Sequence, residues 1–433
     1  MSTTVSENGS LGQIAVVHSQ AAETIPAALQ AQAQQAWEKF TATGFPHAKA
    51  EEYKYTPITK QLDRHFDLSA LAPQGVVSEA EVKSLVFQSV EADLFVLVNG
   101  RFNEALSNYE GKGYDVCTLA EADEELVQEV IAKHKPQDDP FIHLNNAMAS
   151  EGLFIHVPKN TQLQKPIIIL NVTDSRHGQV VSHARNIIIA EQGAEAVIIE
   201  QYKSLGAVKS LTNNVTELFA EANAHLSFYK FQQENDSAFH LGNILVYQTK
   251  DSEVTTFTMT LEGAMIRNNL TFLLDGENIT SNMYGLSFLK GKSHVDHHTV
   301  VDHTHPHCDS NELYKGVFDD KSAGVFNGKI FVREGAQKTN AFQSNKNILL
   351  SDDASIDTKP QLEIWADDVK CSHGCTNGQL DPEQLFYLRA RGVDKRTAQG
   401  MLLYGFAADV LENIKLESLR EELADLIHDR AGF

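Results

Sequence analysis

Cysteine is scarce: four in 433 residues, Cys117, Cys308, Cys371 and Cys375, too few and too unevenly placed for a disulfide framework. They read as thiols kept available in a reducing compartment. No apolar run approaches the ~20 residues of a membrane span. The first fourteen residues are polar, with no apolar stretch behind a basic start, so the sequence predicts no secretory signal and a cytoplasmic location. Positive charge is short as well. With 36 basic against 58 acidic residues the formal charge is −22, which would repel nucleic-acid phosphates and anionic lipid. A solvated acidic surface explains this balance equally well, so it names no partner.

Two catalytic signatures are missing. Gly291-Lys292-Ser293 ends like a phosphate-binding loop, but Gly285 stands one residue too far upstream for the required spacing. The strand-like stretch that follows cannot open the helix such a loop needs. No G-x-S-x-G elbow occurs either, so neither nucleotide hydrolysis nor a serine hydrolase has support.

What is present folds: 42% of residues are apolar and 22% charged. The length implies either two or three domains or one elongated repetitive domain with appendages. Ile25, Leu29, Ala33, Ala36, Trp37 and Phe40 recur at helical spacing, predicting a helix over 21–40 that Gly44 and Pro46 end. A second helix fits 119–134, acidic at its start and with Lys133 and His134 at its end, as the helix dipole favours. Between them, residues 93–97 read as a strand leading into an Asn99-Gly100 turn. Residues 1–150 are therefore a helix-bearing N-terminal domain.

Residues 151–370 change to short runs rich in Val, Ile, Phe and Thr, at 166–172, 186–190, 196–202, 225–231, 254–261 and 269–274. Turn signals at Gly193, Asn223, Ser252 and Gly276 fall about 20 to 30 residues apart, near one coil of a β-solenoid. The fold class is mainly β, with a parallel β-helix core; a large β-sandwich is the rival pattern. In 371–433 the chain becomes a C-terminal helical domain. Asp381-Pro382 opens one helix containing Leu385, Tyr387 and Leu388, and Gly392 closes it. Asp394 caps the next, whose apolar face runs Ala398, Met401, Leu402, Leu403, Phe406, Val410, Leu411 and Ile414. A last helix spans 418–429. Three short helices cannot bury that much apolar surface among themselves, so the unit must dock on something.

Two stretches carry metal-ligand chemistry. In residues 369–375 (VKCSHGC), Cys371 and His373 are two apart and share a face if the backbone is extended. Thiolate and imidazole suit iron, zinc or bound sulfur, and the adjacent Lys370 would favour the thiolate. Two donors are half of a four-donor site, so the remainder must come from elsewhere in this chain or from another subunit; a buried cysteine and a turn-bonded histidine remain the plain structural alternative. Residues 294–308 (HVDHHTVVDHTHPHC) hold six histidines, two aspartates and a cysteine, with His303, His305 and His307 at strand parity. They form either a ligand row or the hydrogen-bonded polar ladder that stacked coils produce.

Residues 370–406 (KCSHGCTNGQLDPEQLFYLRARGVDKRTAQGMLLYGF) resemble the C-terminal signature of the SufD family of iron–sulfur cluster assembly scaffolds. The paralogous SufB family has an EHEA-type sequence where this chain has Cys371-Ser372-His373-Gly374. Residues 44–57, 140–158 and 296–316 resemble the same family in the same order, so the resemblance covers the chain from about Trp37 onward. It implies a right-handed parallel β-helix. It further implies a non-catalytic subunit that pairs with SufB through its β-helix end and docks the ATPase SufC on its C-terminal helices. A transient iron–sulfur cluster would form at the SufB junction, with nothing tightly bound to the isolated chain. On this basis His373 is the cluster-site ligand, with Cys371 a weaker one. Leu385, Phe386, Tyr387, Arg389, Met401, Leu402 and Phe406 would face the ATPase. The resemblance ties Cys375 to no particular role, and it leaves open a homodimer of the isolated chain and a reduced flavin as electron source. Two readings compete: a polysaccharide-processing β-helix enzyme, and a mononuclear metalloprotein using residues 294–308.

Overall fold

The computed structural model describes residues 10–47, 49–69, 72–133 and 137–432. Six helices precede or punctuate the first coils: α1 (Ser10–Ala21), α2 (Gln30–Thr43), α3 (Ile58–His65), α4 (Glu79–Leu85), α5 (Glu124–Ala132) and α6 (Pro140–Met148). The helix predicted over 21–40 is divided. α1 ends at Ala21, two short 3-10 turns flank Pro26, and only then does α2 begin, because proline offers no backbone N–H to an α-helical ladder. α5 starts later than predicted, where the Asp123 carboxylate accepts from the Leu126 N–H. His134 lies outside the described residues.

Two ten-stranded sheets face one another. From Arg185 onward the chain alternates between them. Glu195–Leu205, His225–Gln233, Glu253–Glu262, Thr280–Leu289, Asp309–Phe318, Asn340–Leu349 and Lys370–Gly378 lie side by side in the front sheet. Arg185–Ala190, Ser210–Ala220, Ala238–Gln248, Met265–Leu274, His294–His303, Ala323–Val332 and Ser355–Ile364 do so in the back sheet. Every one of these neighbours is parallel, so the β-rich middle is a parallel β-solenoid and not a sandwich. Register partners stand about 30 residues apart, as in His225 with Glu253 and Asn340 with Lys370. The strand Asp93–Val98 joins the front sheet beside Ile167–Asp174, so the N-terminal third contributes to the first coils.

Alternation then sorts the side chains. One parity points to the solenoid axis and forms its core, with Ile198, Phe228, Val254, Met283 and Tyr314 from the front sheet and Ile244, Leu270, Phe272 and Phe326 from the back. The other parity faces outward, and helices cover much of it over the earlier coils. On the back sheet, Val215, Phe219, Leu245 and Tyr247 lie under residues of α2, α5 and α6, among them Ala33, Val127, Val130 and Ile142. On the front sheet, Ile199, Tyr229, Phe257 and Phe288 lie under Leu403, Ala407, Val410, Leu411, Leu419, Leu423 and Ile427.

Those covering residues belong to α8 (Lys395–Leu411) and α9 (Glu417–Ala431); the shorter α7 (Pro382–Arg389) precedes them and buries no residue. The caps are the predicted ones. Asp381 accepts from the Glu383 N–H, Asp394 accepts from the Arg396 and Thr397 N–H groups, and Gly392 takes a left-handed φ of 88°. The apolar surface that the sequence could not place is thus buried largely on the chain's own solenoid, at about 1.5–3 kcal/mol per large side chain. Helix begins at Pro382, not at 371: Lys370–Gly378 is still strand. With Cys, Ser, His and two glycines it holds a single β-branched strand former, Thr376, and its conformation comes from pairing with the coil before it. No helix among the described residues is long and apolar enough to cross a membrane.

Candidate functional site

The strand Lys370–Gly378 ends the front sheet and Ser355–Ile364 ends the back sheet. Each pairs on one side only, so the last coil presents two open edges. Pairing with the preceding coil sets Ala341 opposite Cys371, Gln343 opposite His373 and Asn345 opposite Cys375. Ala341 is a buried residue of the inner face and Cys371 packs against it, beside Val332 and Leu362. Parity therefore directs His373 to the same face as Cys371, as the spacing predicts, and adds Cys375. Cys371 is half-buried, while His373 and Cys375 are exposed at the mouth of the solenoid.

The thiols are not poised as Lys370 suggested. Lys370 has the opposite parity to Cys371, so its ammonium is directed away from the sulfur. Burial pushes the Cys371 thiol up, against a smaller opposing effect of the Ala341 N–H. Cys375 is likewise pushed up by burial and held back by the Thr358 hydroxyl across the axis.

Beneath His373 lies a polar column that the sequence reading did not find. Glu312, Gln343 and His373 are consecutive register partners on the inward parity. Glu312 and Gln343 are only 4% and 3% exposed, and Gln343 Nε2 donates to Glu312 Oε2 at 2.7 Å. Burial raises the Glu312 carboxyl to about 7. Gly328, on the facing sheet, leaves room for this pair: a Cβ there would come within 2.1 Å of Gln343 Nε2. Deeper in the axis, Lys230 is fully enclosed near Glu200 and Glu234, and desolvation lowers it to about 8. For Lys230 the signal was a charged residue at core parity in the apolar run HLSFYKF; Glu312 and Gln343 lie in strands with several polar residues and carried no such signal.

The histidine-rich stretch is divided by the same alternation. His297 and His303 point inward, each with Nε2 2.9 Å from a serine hydroxyl, Ser287 and Ser310 respectively, and burial lowers both to about 4. His294, Asp296 and His298 face outward, under the segment 51–56. The Thr56 hydroxyl donates to Asp296 Oδ2 at 2.5 Å, Arg267 Nη1 donates to the same oxygen at 2.7 Å, and His298 Nε2 stands 3.0 Å from Asp296 Oδ1. Glu52 receives Lys329 at 2.6 Å, and its neighbours, His298 foremost, hold its carboxyl down to about 2. The strand stops at His303, and His307 adopts a left-handed φ of 61°, which breaks the row with His305. Cys308 is buried, its thiol donating to the Gly276 carbonyl. No group of three or more His, Cys, Asp or Glu able to hold a metal ion occurs among the described residues. The stretch is a buried hydrogen-bonded latch for the N-terminal segment.

On the C-terminal helices, Phe386, Tyr387 and Met401 are 73%, 56% and 43% exposed. Arg389 is exposed, and Leu385 and Leu402 are half-buried. Phe406 differs from the rest. Its ring lies under the Lys315 ammonium at 4.4 Å and its carbonyl accepts from that same group, so the residue is engaged by the chain's own solenoid.

Comparison with known proteins agrees with this architecture. Residues 171–406 match the family described as SUF system FeS cluster assembly, SufBD core domain, and residues 15–169 match the SufBD protein N-terminal region. The chain is 35% identical over 402 residues to the iron-sulfur cluster assembly protein SufD of Escherichia coli, covering 92% of each. It is 29% identical over 401 residues to a SufBD family protein of Synechocystis, covering 89% of this chain and 87% of that one. To SufD of Bacillus subtilis it is 28% identical over 333 residues, 72% of each.

Proposed function

The chain belongs to the SufBD family of SUF-system iron–sulfur cluster assembly proteins, and from that premise we propose that it is a non-catalytic scaffold subunit whose open solenoid end builds clusters together with a SufB-type partner. His373 is the principal donor and Cys371 a lesser one. The cluster is cargo, passed on and not retained. A SufC-type ATPase docks on α7 and the start of α8, and hydrolysis belongs to that subunit.

The single observation that carries this reading is the donor row at an unpaired coil end. Cluster iron is held by thiolate or imidazole donors, usually four. This mouth offers three at most, on the rim of two open strand edges. Open edges invite pairing with another chain, and a second solenoid end stacked there would complete both the sheets and the donor set. The exposed Phe386, Tyr387 and Met401 lie on the helices that the same coil leads into.

The test is co-expression with SufB-type and SufC-type subunits, followed by anaerobic loading with Fe²⁺ and sulfide. The variant His373→Ala should co-purify normally and melt as the parent does, yet form at least tenfold less cluster. Cluster formation at the parental rate would refute the assignment.

A further inference from the structure

The donor row contains one more thiol than the family resemblance supplies. Cys371, His373 and Cys375 sit at alternate positions of one extended strand and share its inward face. Cys375 is free and exposed at the solenoid mouth.

The spacing selects what the row can bind. Cys371 and Cys375, its two ends, are four residues apart, about 13 Å along an extended strand, whereas two thiolates on one metal ion stand no more than about 4.6 Å apart, twice a bond of about 2.3 Å. The two ends of the row therefore belong to different metal atoms of a larger species.

We propose that Cys375 is a third donor to the iron–sulfur cargo, held on a different metal atom from Cys371. This inference rests on the scaffold reading above, and the experiment separates the two. The complex co-purified with SufB-type and SufC-type subunits is loaded with Fe²⁺ and sulfide, and iron loss to a chelator is timed for the parent, His373→Ala, Cys375→Ala and Cys375→Ser. Both Cys375 variants should lose iron at least fivefold faster than the parent. Iodoacetamide labelling read by mass spectrometry gives a second measure: loading should slow labelling of Cys375 at least fivefold relative to the unloaded complex and leave Cys117 unchanged.

If His373→Ala loses iron rapidly while both Cys375 variants match the parent, this inference falls and the scaffold reading stands. If His373→Ala retains iron as the parent does, the scaffold reading's site falls whatever Cys375 does.

Discussion

Glu312 is a carboxyl with no cation at hand, enclosed by the coils above and below it and bonded to the Gln343 amide. Its folded value of about 7 exceeds the ordinary 4.5. The folded state therefore binds the proton more tightly than the unfolded chain does. Its contribution is favourable below about pH 4.5 and is lost as pH rises through 7. Replacing it by glutamine removes that loss. Glu312→Gln should leave the melting temperature unchanged at pH 4.5 and raise it at pH 8, by a stability gain on the order of 2–3 kcal/mol. A variant less stable than the parent at pH 8 would show that the carboxylate is compensated within the column. His297 and His303 act with the opposite sign: burial lowers both to about 4, so they stabilise above pH 6.5 and that stability is lost as pH falls towards 4. None of this was legible from residue type. The pairing of Cys371 with His373 was, because alternation needs only the local backbone. Glu312 and Gln343 lie 31 residues apart and meet through register alone.

The latch between segment 51–56 and the strand His294–His303 settles which of two patterns a polar stretch follows, a ligand row or a hydrogen-bonded ladder: it is the ladder. A metal site needs donors converging on one point. Here alternation sends His297 and His303 into the axis and His294, Asp296 and His298 outward, and the outward carboxylate is consumed by Thr56, Arg267 and His298. Arg267 and Asp296 are both 2% or less exposed. Removing one charge of such a pair leaves the other buried and uncompensated, at about 3–5 kcal/mol. Asp296→Asn should lower the melting temperature and speed amide exchange first in residues 51–56 and α3, ahead of the outer coils. Simultaneous loss of protection throughout would show that the latch is part of the solenoid's own cooperative unit. The helix that apolar periodicity predicts over 21–40 is divided for an equally local reason, Pro26.

At the scale of the whole molecule, the C-terminal helices serve two surfaces at once. α8 and α9 cover the front sheet, whereas α7 buries nothing and leaves Phe386 and Tyr387 in solvent. Deleting everything after Gly378 would uncover Tyr229, Phe257 and Phe288 and so confound loss of a partner with loss of the fold. Point changes are cleaner. The pair Phe386→Ala and Tyr387→Ala should weaken co-purification of the ATPase at least tenfold and leave the melting temperature within about 1 °C, since exposed substitutions away from caps change stability by no more than about 0.5 kcal/mol. Undiminished ATPase binding would move the docking surface elsewhere, for instance towards Met401 and Leu402. Phe406, engaged by Lys315, belongs to the intramolecular surface and should instead affect stability.

By itself, the sequence determined the class of fold and the chemistry of the terminal strand's donors. Short β-rich runs at solenoid spacing can bury their inner faces only by stacking, and alternation along an extended strand pairs Cys371 with His373 whatever lies around it. Tertiary structure decided which coil is last, that its strand runs on through Cys375 to Gly378, that Glu312 and Gln343 stand beneath His373, and that the histidine-rich stretch is a latch. Each of those depends on register between residues about 30 apart in sequence, and register is set by the stacking of whole coils, which no local pattern encodes.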